Sequence, residues 1–347
     1  MKKILTVLLL SLMALTAMPA SAQSKFRVAW SHYTGWEPWG YAQQSGILQK
    51  WAKKNGIEIE LTLVNDYVES INLYTTGKFD ACAMTNMDVL TIPASGGVDS
   101  TAIIIGDFSN GNDGIVVKSG KTVKDLKGRS VKLVEFTVSH YMLARALEMN
   151  GMSERDVKTV NTSESDIAAI FASDAKGAAV TWNPMLQQAR NAKGAALVFD
   201  SSKIPGEIID MMVVRTNAPD SLKKALTGAW YEVMAIMTGT DKASADAIAW
   251  MAKSSGATVP ELKAQLGTTA MFYKPADAVT FANGGQLKKT MEYVRTFSFS
   301  KGLFGKRARD KDVVGIAFPD GSVIGDKKNV KLRFTSDFMK LAAEGKL

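Results

Sequence analysis

Trp36, Glu37 and Trp39 stand together in the run Tyr33-Thr34-Gly35-Trp36-Glu37-Pro38-Trp39-Gly40. Two indoles beside a carboxylate suit a flat cation, because the ring face attracts the charge for about 0.5 to 2 kcal/mol and the carboxylate accepts N–H groups. Either tryptophan could instead fill a core, with Pro38 shaping the turn. Asp66, Asp88, Asp107 and Asp113 each flank a short apolar run. Singly, such aspartates are helix caps or turn formers; together they could surround a cation. An anion site would use Arg or the free N–H groups of a helix start, and none of these loops carries an Arg.

Thr137-Val138-Ser139-His140 opens a helical pattern, Trp182-Asn183 follows a buried apolar run, and Asp210 precedes another. Ser139, His140, Trp182, Asn183 and Asp210 therefore join the candidates for ligand contact, although Ser139 also suits a plain N-cap and His140 a packed or capping role. His32 is the only other histidine. No pair has zinc-ligand spacing, so neither a metal nor another cofactor is expected. Catalytic signatures are missing as well: there is no Gly-x-Ser-x-Gly, Walker or Cys-x-x-Cys pattern, and Gly106 to Gly114 lacks the Lys-Ser/Thr ending of a phosphate loop. The lone Cys82, in Ala81-Cys82-Ala83-Met84, reads as a small core residue. Binding without turnover is the expectation.

These residues need a scaffold that gathers loops, and the order of apolar runs supplies one. Strand patterns at Lys25 to Trp30, Ile57 to Val64 and Phe79 to Met84 alternate with helical ones at Tyr41 to Lys54 and Tyr67 to Thr75. This order argues a mainly parallel sheet, with ligands at the carboxyl ends of its strands. Thr101 to Ile105 predicts a fourth strand, followed by a turn-rich crossing over Gly106 to Gly114. A second α/β series then starts, with a strand at Ser130 to Val134 and a helix from Ser139 to Asn150, and Met211 to Arg215 suits a return crossing. The expected division is residues 23–115 and 212–347 in lobe 1 and residues 116–211 in lobe 2.

The chain begins Met1-Lys2-Lys3, runs almost wholly apolar from Ile4 to Met18, and reaches Pro19-Ala20-Ser21-Ala22. A charged start, an apolar middle of about 15 residues and a small-x-small end make an export signal, too short for a membrane span. Cleavage after Ala22 would leave roughly 325 residues, more than one core usually organises. A periplasmic protein is expected. The formal charge is +8 at pH 7. Its basic residues are scattered, and the one dense stretch, Lys301 to Lys311, is interrupted by Gly and Asp, so no nucleic-acid partner is expected.

The run Ser45-Gly46-Ile47-Leu48, then Gly56-Ile57-Glu58-Ile59-Glu60-Leu61, Gly77-Lys78-Phe79-Asp80 and Asp125-Leu126-Lys127-Gly128-Arg129-Ser130-Val131, resembles ABC-transporter substrate-binding proteins of the nitrate/sulfonate/taurine class. Tyr33 to Gly40, Thr85-Asn86-Met87-Asp88 and Asp107 to Gly114 are similar to a branch of that class encoded beside urea carboxylases. The resemblance implies an α/β type II periplasmic-binding fold, two lobes joined by a hinge of two crossings. It further implies delivery of a urea- or guanidine-like small molecule to an inner-membrane ABC permease with its ATPase; the restart of the α/β series after Gly114 predicts a monomer of two lobes. A sulfonate or nitrate carrier of the same fold is the alternative. Pyrimidine synthases resemble the chain in architecture too, but their cysteine-rich iron-binding motif is missing here.

Overall fold

The computed structural model describes residues 24–347, so the export signal expected over residues 1–22 lies outside the described residues. The first strands are β1 (Ser24–Trp30), β2 (Ile57–Leu63), β3 (Ala81–Thr85) and β4 (Ser100–Ser109). Next come β5 (Asp113–Lys118), β6 (Ser130–Leu133), β7 (Lys158–Asn161), β8 (Ala178–Trp182) and β9 (Ala195–Asp200). The last are β10 (Ile209–Arg215), β11 (Thr269–Met271), β12 (Gly315–Ala317), β13 (Val323–Ile324) and β14 (Val330–Phe334). One sheet runs β13-β12-β14-β4-β10-β3-β1-β2, with β11 added to the far end of β4; the other runs β7-β6-β8-β5-β9.

Burial follows sequence pattern. In β2, Ile57, Ile59 and Leu61 are buried while Glu58 and Glu60 are exposed, the period of a half-covered strand. Residues in β3 and β8 are buried throughout, as in strands covered on both faces. Helices Ile47–Lys54 and Asp220–Met237 pack on one another, and Trp39 packs at a tilt on Trp230 with ring centroids 5.0 Å apart.

Four expectations need correcting. The main sheet, expected to be mainly parallel, is mixed, since β10 runs antiparallel to β3 and β4. Met211 to Arg215, expected to be the return crossing, lies inside β10. The single helix expected from Tyr41 to Lys54 is two, Glu37–Gln44 and Ile47–Lys54, because Gly46 takes a φ of +78°, a left-handed turn that stops the first helix. The turn expected from Gly106 is also shorter. β4 continues to Ser109 because Ile209 and Asp210 pair with it on one edge and Thr269 to Met271 on the other. The chain then crosses to the second sheet over residues 110–112 and returns over residues 201–208. The hydroxyls of Ser109 and Ser201 bond at 2.7 Å and tie the two crossings together.

Candidate functional site

Strand direction is what gathers the polar residues. β10 runs antiparallel to both neighbours, so Asp210 near its start lies opposite Thr85 at the end of β3 and opposite Asp107 toward the end of β4. In the second sheet Asp113, at the start of β5, pairs with Trp182 at the end of antiparallel β8. The loop after β1 adds Tyr33 and Trp36. It can approach so closely only because residue 35 is glycine: a Cβ there would lie 2.4 Å from Asp107 Oδ2.

The result is a cavity between the sheets lined by Tyr33, Trp36, Tyr67, Asp113, Trp182 and Asp210, closed by Thr85, Val138 and Ile208. Tyr33 and Trp36 meet edge to face at 5.1 Å, as do Tyr67 and Trp182 at 5.7 Å, while Trp36 and Tyr67 lie tilted to one another at 5.5 Å. Taken as a sphere, the void is roughly 85 Å³ wall to wall, the liquid volume of about three waters. A planar solute of a few heavy atoms fits.

The walls are acidic. Asp88, Asp107, Asp113 and Asp210 are all at most 2% exposed. Asp88 Oδ2 accepts from the hydroxyls of Tyr67 at 2.7 Å and Thr85 at 2.8 Å. Burial nevertheless pushes its pKa up to about 6, against those two bonds and one from the Val138 N–H. Burial likewise pushes Asp113 up to about 7, opposed by the Ser109 hydroxyl and assisted by the charge of Asp88. Tyr33 donates to Asp107 Oδ1 at 2.9 Å. Burial raises Asp107 and Asp210 as well, and the charge of Asp107 raises Asp210 further. Asp107 Oδ2 and Asp210 Oδ2 are buried with no protein donor, and the Trp36 indole N–H and the Ser139 hydroxyl are buried with no partner. An unpartnered buried polar group costs about 1–3 kcal/mol, and more when charged. A ligand with several N–H donors and a positive charge would relieve that cost.

Of the sequence candidates, Trp36, Asp113, Trp182 and Asp210 meet at the cavity, and Asp88 stands behind Tyr67 and Thr85. Ser139 is buried next to Val138. The others lie elsewhere. Trp39 is in the core against Trp230. Glu37 is fully buried, with Oε1 2.6 Å from His32 Nδ1. Asp66 caps the Tyr67–Thr75 helix by accepting from the Glu69 N–H at 2.8 Å. His140 lies 2.5 Å from Glu154 and accepts from the Phe136 N–H, and Asn183 accepts from the Gln187 N–H at 2.9 Å. Asp66, His140 and Asn183 serve local structure through these bonds, whereas Glu37 keeps a second buried oxygen, Oε2, with no partner. Tyr33, Tyr67 and Thr85 were missing from the candidates; only the acids they bond single them out. Among the described residues no cluster of His, Cys, Asp or Glu has the geometry to hold a metal ion.

With two sheets and a double crossing, the chain has the type II periplasmic-binding fold. It is similar to the alkanesulfonate-binding protein of Xanthomonas axonopodis pv. citri, with a TM-score of 0.66 at 16% identity over 83% of this chain and 97% of that one. The aliphatic sulphonate-binding protein of Escherichia coli gives 0.67 at 18% identity over 83% and 96%. The nitrate-binding protein of Synechocystis gives 0.58 at 10% identity over 92% and 99%. The chain belongs to the NMT1/THI5-like family, whose pattern matches residues 38–249. A Brucella abortus binding protein is 28% identical over 186 residues, 52% of this chain and 56% of that protein. The chain thus spans about half the length of the curated relatives it matches. These similarities carry the family and not the narrower urea-carboxylase branch.

Proposed function

We propose that this protein is the periplasmic solute-binding component of an ABC importer and that it captures a small, planar, nitrogen-rich cation of the guanidinium type. The observation that carries the reading is the set of four buried aspartates around an aromatic cavity of a few heavy atoms. The two sheets act as two lobes that close on the solute, with a permease and its ATPase as partners and no chemical change to the cargo.

A sulfonate or nitrate carrier is the competing reading, favoured by the names of the similar proteins. Electrostatics opposes it. The start of the Val138–Met149 helix, where an anion would find free N–H groups and a favourable dipole, faces this chain's own Asp88. Guanidinium has about four heavy atoms, and the best tiny ligands gain about 1.5 kcal/mol per atom. The total is about 6 kcal/mol, a dissociation constant of a few tens of micromolar. Calorimetry of the mature protein with guanidinium, urea, taurine and nitrate tests the reading. Guanidinium should bind best, and an anion outcompeting every cation would overturn it.

A further inference from the structure

Asp107 and Asp210 pose a problem that the cation alone does not resolve. They are register partners on adjacent strands, both buried, and each has an oxygen without a protein donor. Their carboxyls are within hydrogen-bonding reach of each other. Two carboxylates so placed cannot both ionise cheaply, and one proton between them satisfies both oxygens. Among the described residues, the titratable groups acting on the pair are Tyr33, Asp113 and Tyr273, and none is a base. Only Asp210 of the two faces the cavity; Asp107 stands behind it, held by Tyr33.

We infer that the Asp107–Asp210 pair sets the charge selectivity of the cavity: sharing a proton it accepts a neutral planar amide, and having lost that proton it holds a guanidinium-type cation. The inference rests on the proposed function and deepens it. Charge balance makes the exchange feasible. The proton-sharing pair carries one negative charge; when a cation enters, the proton leaves for bulk solvent, and the ionised pair plus cation again carries one negative charge. No net charge is added to a poorly solvated site. With a neutral amide the proton stays between the two carboxyls, and Asp210 still accepts an amide N–H. Asp210 then contacts the ligand, and Asp107 is a positioning residue that keeps the proton in place.

The test is calorimetry of the mature protein with guanidinium and with urea between pH 6 and 8. Running it in phosphate and in Tris, whose ionisation enthalpies differ, counts the protons exchanged. Guanidinium should release about one proton at pH 6.5, and its affinity should rise by up to tenfold per pH unit while urea affinity stays flat or falls. In Asp107→Asn the proton count and the slope should both drop toward zero. Guanidinium binding with no proton release and no pH slope would overturn this inference while leaving the cation reading intact. Failure of guanidinium to bind even at pH 8 would sink both. Proton release that persists unchanged in a folded Asp107→Asn protein would also overturn it, by moving the proton to Asp88 or Asp113. If Asp107→Asn does not fold, Asp113→Asn serves the same end: proton release that persists there leaves the pair as its source, and release that vanishes overturns the inference.

Discussion

Asp210 and Asp107 face each other across the β10–β4 ladder, both buried, each with one oxygen that no protein donor reaches. Antiparallel β10 brings a residue from just after the return crossing level with one from just before the outward crossing. The pair therefore sits where any movement of one sheet relative to the other is concentrated, and where a ligand contacting Asp210 would feel it.

Asp113→Asn and Asp210→Asn should each weaken guanidinium binding at pH 8 by tenfold or more, about 1.4 kcal/mol. Urea, which carries no charge, should lose less. Titration calorimetry measures both, and two variants that bind guanidinium like the wild type would refute the role of these acids.

The ligand-free protein should lose stability as pH rises from 6.5 to 8. Asp113 has its pKa raised to about 7 by burial, so the folded state holds a proton that the unfolded state has already released, and stability falls as pH climbs through that value. His32 adds to the fall: burial lowers its pKa, but the hydrogen bond and charge of Glu37 outweigh that and leave it raised. His140 works the other way, since burial and Lys301 depress it to about 4, but its effect is complete by its unfolded value of about 6.5. Melting curves at pH 6.5 and 8 should therefore show a lower Tm at pH 8. Guanidinium chloride at low millimolar concentration should narrow the gap more than sodium chloride does.

Trp36→Leu should weaken guanidinium binding by about 0.5–2 kcal/mol, a few-fold to thirtyfold, by removing an aromatic face. Fluorescence or calorimetric titration would show it, and unchanged affinity would place Trp36 in packing alone.

Glu164 lies away from the cavity, yet its Oε1 accepts from the Tyr67 N–H at 2.5 Å, joining the start of one helix in the second-sheet region to the start of another beside the first sheet. Glu164→Ala should therefore cost affinity without touching ligand, roughly tenfold for a lost charge-assisted bond. Small-angle scattering should show the wild type compacting on saturation with guanidinium. A rigid particle with no change would count against closure.

The scaffold was more legible than the site. Strict alternation in Ile57 to Leu61 and the all-apolar Ala81 to Met84 prescribe their own burial, so strands and their order can be read locally. Trp36, Asp113, Trp182 and Asp210 were also within reach, because strand ends are where a sheet exposes side chains to a cleft. Trp39 misled, because an aromatic residue looks the same in sequence whether it faces a ligand or packs on Trp230. Asp66 misled for a similar reason, since a cap and a binding acid share one residue type. The Asp107–Asp210 meeting depends on strand register across about a hundred residues of chain, which no local pattern encodes.

The bonds over the cavity also govern time. Trp182 Nε1 donates to the carbonyl of His32 at 3.2 Å, and the Thr34 N–H donates to the carbonyl of Asn183 at 3.3 Å, joining the loops on either side. Both bonds must break before these loops can separate, so a solute whose exit requires that separation has a dwell time set by how often the protein opens. In the proposed role, a weakly held cargo would then survive the journey to the membrane, and a permease that pries the two loops apart would trigger unloading instead of waiting for it.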